Sequence, residues 1–222
     1  MKGLKDKRVL VTGASLGIGK ATAVRFAQEG AHVAINYRSS EEQARDTLQS
    51  VQQYSQQSFL IKADVSSEDD VKRMFQTCYE RLGGLDILIN NAGFLFPEDS
   101  HKLSMADYDR IMNTNIRGAF MCAQQAIRHF LAEDRPGVIV NVSSVHQTIP
   151  KPRFVAYAIS KGGMQNLTTT LALEYASRNI RINAVAPGAT VTPMNDAWVD
   201  DPKRRAEVEQ HIPMRRSGEA WE

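Results

Sequence analysis

The chain has 222 residues, 42% of them apolar, which is enough to bury one core; its 27 Lys and Arg against 25 Asp and Glu leave a net charge of only +2. The basic residues are scattered, apart from the pairs Arg204, Arg205 and Arg215, Arg216, which argues against nucleic acid or an anionic membrane as a partner. Cys78 and Cys122 make neither a disulfide framework nor a metal-ligand spacing, and MKGLKDKRVLVTG contains neither a signal peptide nor an apolar span, so a cytoplasmic protein is expected.

The first predicted strand, RVLVT (8–12), runs into a turn with Gly13, Gly17 and Gly19 in TGxxxGxG spacing, ahead of a helix over 17–28. Glycines let the backbone approach a pyrophosphate, and a helix start offers unpaired N–H groups and a positive dipole end. A plain strand-to-helix connection is the alternative; the place at the first βα junction favours a nucleotide, with Ser15 and Ile18 beside the glycines. The second strand, HVAINY (32–37), precedes a helix over 40–54, where Ser40 and Gln43 have capping-box spacing. No acid stands at Asn36, Tyr37 or Arg38 to accept ribose hydroxyls, so strict NAD dependence is not expected. Arg38, with Ser39 next to it, either pairs with a 2′-phosphate or faces solvent.

The third strand, SFLIK (58–62), leads to Asp64 and Val65, placed for an adenine edge, though Asp64 can equally cap the helix over 67–82. After the fourth, ILIN (87–90), Asn91, Ala92 and Gly93 can line a ribose or simply turn the chain. A long helix over 104–133 starts with a second capping box, Ser104 and Asp107, and carries Asn115, a poor helix former. Asn115 is either tolerated there or bridges backbone and water at a site. The fifth strand, GVIVNV (137–142), delivers Ser143 and Ser144, hydroxyls that often only cap or turn. A helix over 156–177 puts Tyr157 and Lys161 on one face at i and i+4. The sixth strand, RINAV (181–185), precedes PGATVT (187–192). Alternating β and α units with strands apolar on both faces predict one α/β domain over 1–222, a doubly wound, Rossmann-like parallel sheet. Its ligand belongs beyond the carboxyl ends of the strands.

TGxxxGxG at 12–19, NNAG at 90–93, Asn115, Ser144, Tyr157, Lys161 and PGATVT at 187–192 together resemble the short-chain dehydrogenase/reductase family over essentially the whole chain. Within it, NYRSSEE, the run from SSVHQTIPKPRF to LALEYA, and DPKRRAEVEQHIPM look most like the glucose 1-dehydrogenase branch. The resemblance implies NADP or NAD as cofactor and an alcohol or sugar as substrate, for glucose with oxidation at C1 to the lactone. It implies Asn115, Ser144, Tyr157 and Lys161 as catalytic residues, and Pro187, Gly188, Thr190 and Thr192 as cofactor contacts, Thr192 on the carboxamide. In the same scheme Tyr157 accepts the hydroxyl proton, Ser144 orients the oxygen, Lys161 also holds the nicotinamide ribose, and Asn115 holds a water. An ammonium about 4 Å from the phenol contributes about 4 kcal/mol at an effective dielectric near 20, so Lys161 is expected to lower the Tyr157 pKa by roughly three units.

Two departures from the resemblance carry expectations. Lys151 and Arg153 stand where bulky apolar residues are expected, and a solvent-facing role is favoured for both over recognition of an acidic substrate. The ending GEAWE comes before the further helix and seventh strand that the family implies. From this, an exposed sixth strand and a loop at 187–194 supported on one side only are expected, with a homotetramer where that segment is present. A 3-oxoacyl carrier-protein reductase and a non-catalytic NAD(P)-binding module are the alternative readings.

Overall fold

Side chains alternate across a strand, and here both faces meet apolar neighbours. In β1 (Arg8–Val11), Val9 and Val11 enter one cluster and Leu10 the other. The first cluster joins them to β2 (His32–Tyr37) and β4 (Ile87–Asn90) through Val33, Ile35, Ile87 and Ile89. It is covered by Ala23 and Ala27 of α1 (Gly17–Gln28) and Val51 of α2 (Glu41–Gln52). On the opposite face, Leu88, Ile139 of β5 (Gly137–Val142) and Ile182 of β6 (Ile180–Val185) meet α3 (Glu68–Leu82), which contributes Val71, Met74 and Phe75. Burying each large apolar side chain contributes about 1.5–3 kcal/mol, so Ile139→Ala, at a fully buried position, costs about 2–5 kcal/mol.

The computed structural model describes residues 3–222, and with β3 (Phe59–Lys62) its main sheet is parallel throughout, in the order β3-β2-β1-β4-β5-β6. Strand order reverses between β1 and β4. That switch point opens a crevice at the carboxyl ends of the strands, as the alternating pattern predicts. β6 lies at the sheet edge, with Arg181, Asn183 and Val185 exposed. Cys78 and Cys122 are buried and unpaired, and burial pushes both thiols up to about 12. Among the described residues no helix is long and apolar enough to cross a membrane.

Several local details differ from the expectations. The helix expected over 104–133 divides into α4 (Met105–Met112), a π-helical turn at Asn113–Gly118 and α5 (Ala119–Ala132). Ser104 caps it as the pattern predicts, accepting from the Asp107 N–H at 3.1 Å and donating to the Asp107 carboxylate at 2.7 Å. Ser40 makes no such cap, because its backbone (φ −83°, ψ 70°) is not extended and its hydroxyl does not reach the first turn. α3 is capped by Ser67, not Asp64. After α6 (Val155–Tyr175) and β6 come elements that the sequence reading did not assign: β7 (Thr190–Val191), α7 (Asp196–Val199), α8 (Pro202–Glu209) and β8 (Gly218–Glu219). Asp201 starts α8 by accepting from the N–H groups of Lys203 and Arg204, with Pro202 at the first helical position.

Candidate active site

A cleft of about 680 Å³ lies at the switch point. Its base is the turn between β1 and α1. Gly13 has φ 60°, a region unfavourable to side chains, and its N–H donates to the Asn36 side-chain oxygen Oδ1 at 3.1 Å. A Cβ on Gly19 would stand 2.5 Å from both the Asn91 amide nitrogen and the Gly13 carbonyl, so only glycine allows this approach. Thr12 joins the two loops: its hydroxyl oxygen accepts from the N–H groups of Asn91 and Ala92 at 3.0 Å each. Asn91 returns side-chain donors to the carbonyls of Thr12 and Gly13 at 2.9 Å each. α1 starts at Leu16 without a side-chain cap, so the N–H groups of its first turn remain for a ligand.

Ser15, Gly17 and Ile18 line the same base. At one end of the cleft stand Arg38, Ser39, Asp64 and Val65. The Arg38 guanidinium lies 3.9 Å from the Asp64 carboxylate, which itself accepts from the Ser66 N–H at 2.9 Å and hydroxyl at 2.7 Å. Arg38 therefore lines the cleft while keeping about half of its side chain, 47%, in solvent. Asn36 holds the position where an acid would recognise a ribose. Its amide is committed to the protein, donating to the carbonyls of Ile61 and Ala63 at 3.3 and 3.0 Å.

At the other end, Ser144, Tyr157 and Lys161 line the cleft together. The Lys161 ammonium donates to the Val142 carbonyl at 2.7 Å and lies 5.7 Å from the centre of the Tyr157 ring. Burial pushes Lys161 down to about 8. Burial also holds Tyr157 above its ordinary value, and the Ser144 side chain only partly opposes this. The expected lowering of Tyr157 by Lys161 is therefore not found in the chain by itself: the ammonium is anchored on a backbone carbonyl, and desolvation dominates. Asn115 is fully buried behind the wall rather than in it. Its amide donates to the Phe94 carbonyl at 2.9 Å and the Ser160 hydroxyl at 3.1 Å, and its oxygen accepts from the Phe94 N–H at 3.0 Å. It thereby fixes the chain just after Gly93, which with Asn91 and Ala92 faces the cleft.

Pro187, Gly188, Thr190 and Thr192 close the cleft from above. The one-sided support expected for this loop is not what the structure contains. β7 pairs with β8, Thr190 opposite Gly218, and the Asn195 amide donates to the Thr190 carbonyl at 2.8 Å. Glu209 accepts from the Ser217 N–H at 3.1 Å, the Ser217 hydroxyl at 2.6 Å and Arg205 at 3.0 Å, which hold its carboxyl down at about 2. Val208, His211 and Ile212, within the stretch DPKRRAEVEQHIPM, also line the cleft, as does Trp198, which no motif marks. Lys151 is exposed, as expected, and it also lines the cleft, with its ammonium 4.3 Å from the centre of the Phe154 ring. Arg153 does lie on the solvent side, near Pro97 and Asp99.

Comparison with known proteins agrees with this geometry. Residues 7–203 match the family model described as short chain dehydrogenase. The chain is 47% identical over 218 residues to a glucose 1-dehydrogenase of Gluconobacter oxydans (strain 621H), covering 97% of this chain and 81% of that protein. It is 46% identical over 211 residues to 3beta-hydroxysteroid dehydrogenase 1 of Eggerthella lenta, covering 95% and 81%. A solved short chain dehydrogenase from Burkholderia cenocepacia J2315 in complex with NADP superposes with a TM-score of 0.90 at 34% identity, covering 98% of this chain and 87% of that one.

Proposed function

The chain belongs to the short chain dehydrogenase family and is an NAD(P)-dependent oxidoreductase, and from that premise we propose that it oxidises a sugar at its C1 hydroxyl, D-glucose foremost, giving the lactone. The single observation that carries this reading is the grouping of Ser144, Tyr157 and Lys161 in one cleft with the uncapped start of α1. The similarity to a glucose 1-dehydrogenase favours the sugar.

The residues present suit a dinucleotide. Gly13, Ser15, Gly17, Ile18 and Gly19 would hold the pyrophosphate with backbone N–H groups, and Arg38 and Ser39 a 2′-phosphate. Asp64 and Val65 would meet the adenine. Asn91, Ala92 and Gly93, with Lys161, would line the nicotinamide ribose, and Pro187, Gly188, Thr190 and Thr192 its ring and carboxamide. When bound, the nicotinamide supplies the hydride acceptor.

In this proposal Tyr157 takes the proton from the substrate hydroxyl, and Ser144 orients that oxygen and stabilises its growing charge. Lys161 keeps positive charge near the phenol. Asn115 holds the turn at Phe94 and a water leading away from Lys161. Oxidation by this route needs the Tyr157 phenolate, so it accelerates as pH rises, while the reverse reduction slows. Initial rates of D-glucose with NADP and with NAD, set against an acetoacetyl thioester with NADPH, test the reading; faster turnover of the thioester would replace it by a carbonyl reductase. A cytoplasmic location belongs to the same proposal, as does a homotetramer where the further helix and seventh strand that the family implies are present, an assembly read by sedimentation.

A further inference from the structure

The loop between β5 and α6 is held more firmly than a solvent-facing connection requires. Arg153 sits at φ 70°, a strained position for a side-chain-bearing residue. Its carbonyl accepts from the Glu98 N–H at 3.0 Å, and its guanidinium donates to the Pro97 carbonyl at 3.2 Å and lies 3.6 Å from the Asp99 carboxylate. This clamp fixes Arg153, two residues after Lys151. The His146 ring adds a second tie, donating from Nδ1 to the Ile149 carbonyl at 3.0 Å, since a carbonyl only accepts.

Lys151 lies over Phe154, its ammonium 4.3 Å from the ring centre, and the Phe154 ring lies 6.2 Å from that of Tyr157. The ammonium is therefore within the sum of these two distances of the Tyr157 ring. An extended chain advances about 3.5 Å per three bonds, so this reach suits a group several carbons from the hydroxyl that meets Tyr157. Among the described residues Lys151 has no ion-pair partner, and the cleft contains a single carboxylate, Asp64, which lies beside Arg38 at the other end. Arg110, over the Phe94 ring at 4.9 Å, and Lys161 are further cations on the cleft without an ion-pair partner among the described residues. Desolvation also lowers the Lys151 pKa, although the residue as a whole remains exposed.

We propose that Lys151 is a specificity-determining residue that binds an anionic group, carboxylate or phosphate, carried by the substrate at a distance from the hydroxyl being oxidised. The inference rests on the hydride-transfer reading of this cleft and names the class of sugar or alcohol that it accepts. Aliphatic stem and aromatic face give the ammonium a fixed direction, so a charged oxygen group would be recognised at one position and not merely attracted.

D-Glucose, D-glucuronate and D-glucose 6-phosphate share the C1 hydroxyl and differ at C6, and they separate charge from shape and carboxylate from phosphate. Their kcat/KM values with NADP are compared in the wild-type chain, Lys151→Met and Lys151→Arg. Their affinities for Tyr157→Phe loaded with NADP, with and without Lys151→Met, are measured by calorimetry. At least one anionic sugar should exceed glucose by about tenfold or more, the scale of a charge-assisted contact. Met should erase that ratio and Arg keep most of it. Absent turnover of all three sugars, with the charge-dependent affinity intact and lost in Lys151→Met, would remove the dehydrogenase reading but leave the anion site. Equal affinity for the neutral and charged sugars, or a ratio that Met leaves unchanged, would overturn the inference.

Discussion

Lys161 donates to the backbone carbonyl of Val142 at 2.7 Å, tying the helix that carries Tyr157 to the last residue of β5. Its charge is thus pinned to the sheet, and the phenol sits beside a fixed cation in a desolvated pocket. Ordinary aqueous pKa values do not describe either group. Both shifts run toward the neutral form, Tyr157 upward and Lys161 downward to about 8.

Tyr157→Phe should lower turnover by about 10²–10⁴-fold, the usual share of a positioned acid–base group, with cofactor affinity nearly unchanged. Lys161→Ala should weaken both. Rates and NADPH titrations read the two effects separately, and a Phe variant retaining a tenth of the rate would remove Tyr157 from the proton path.

Lys161 also makes stability depend on pH. Its native value of about 8 lies below its ordinary 10.5, so between those values the unfolded chain binds more protons than the native one. Stability from this group is fully present above the upper value and is lost as pH falls through the lower one. Urea midpoints at pH 7.5, 8.5 and 9.5 should show wild type gaining steadily on Lys161→Met. A constant difference would mean that the ammonium is solvated.

Arg38→Asp should weaken NADP at least about tenfold more than NAD, because it removes a charge-assisted partner of a 2′-phosphate and leaves a second carboxylate near Asp64. Michaelis constants for both cofactors measure this. Equal losses would place Arg38 outside the 2′-phosphate site.

Glu209→Ala should release Ser217 and Arg205 and loosen the segment that covers the cleft. Faster limited proteolysis between β7 and β8 is expected, with cofactor affinity falling about two- to fivefold, the range of an exposed charged contact. An unchanged cleavage pattern would show that β7 and β8 hold the segment without it.

The main sheet was legible because its strands are apolar on both faces, and the Gly13 turn, Asn91 and Ser144 because each follows a strand. Other features depend on contacts that only the fold makes. NTNIRG carries only one local sign of irregularity, the poor helix former Asn115, and that sign does not specify a π-helical turn. Thr12 and Asn36 matter through hydrogen bonds to Asn91 and Ala63, residues remote in sequence. Asn36 did leave a trace, a polar residue in an apolar strand. Lys151 lines the cleft in a loop where Arg153 adopts φ 70°, a setting that composition does not encode. Asp201 followed by Pro202 is a helix-start signal present in the sequence itself.

The π-helical turn at Asn113–Gly118 gives one continuous rod two independent angular settings. Each helical residue advances the side-chain direction by about 100°, and the wider turn accommodates one more residue than a regular helix would. Upstream of it the rod buries Ile111, and within the turn Asn115 is aimed at Phe94 and Ser160; downstream it aims Cys122, Ala126 and Phe130 at the sheet. Deleting one residue from the turn would therefore act as a rotation and not a shortening, misaligning one half of the rod while its hydrogen-bond ladder became more regular. The two halves answer to different demands, and the turn lets each be adjusted without disturbing the other.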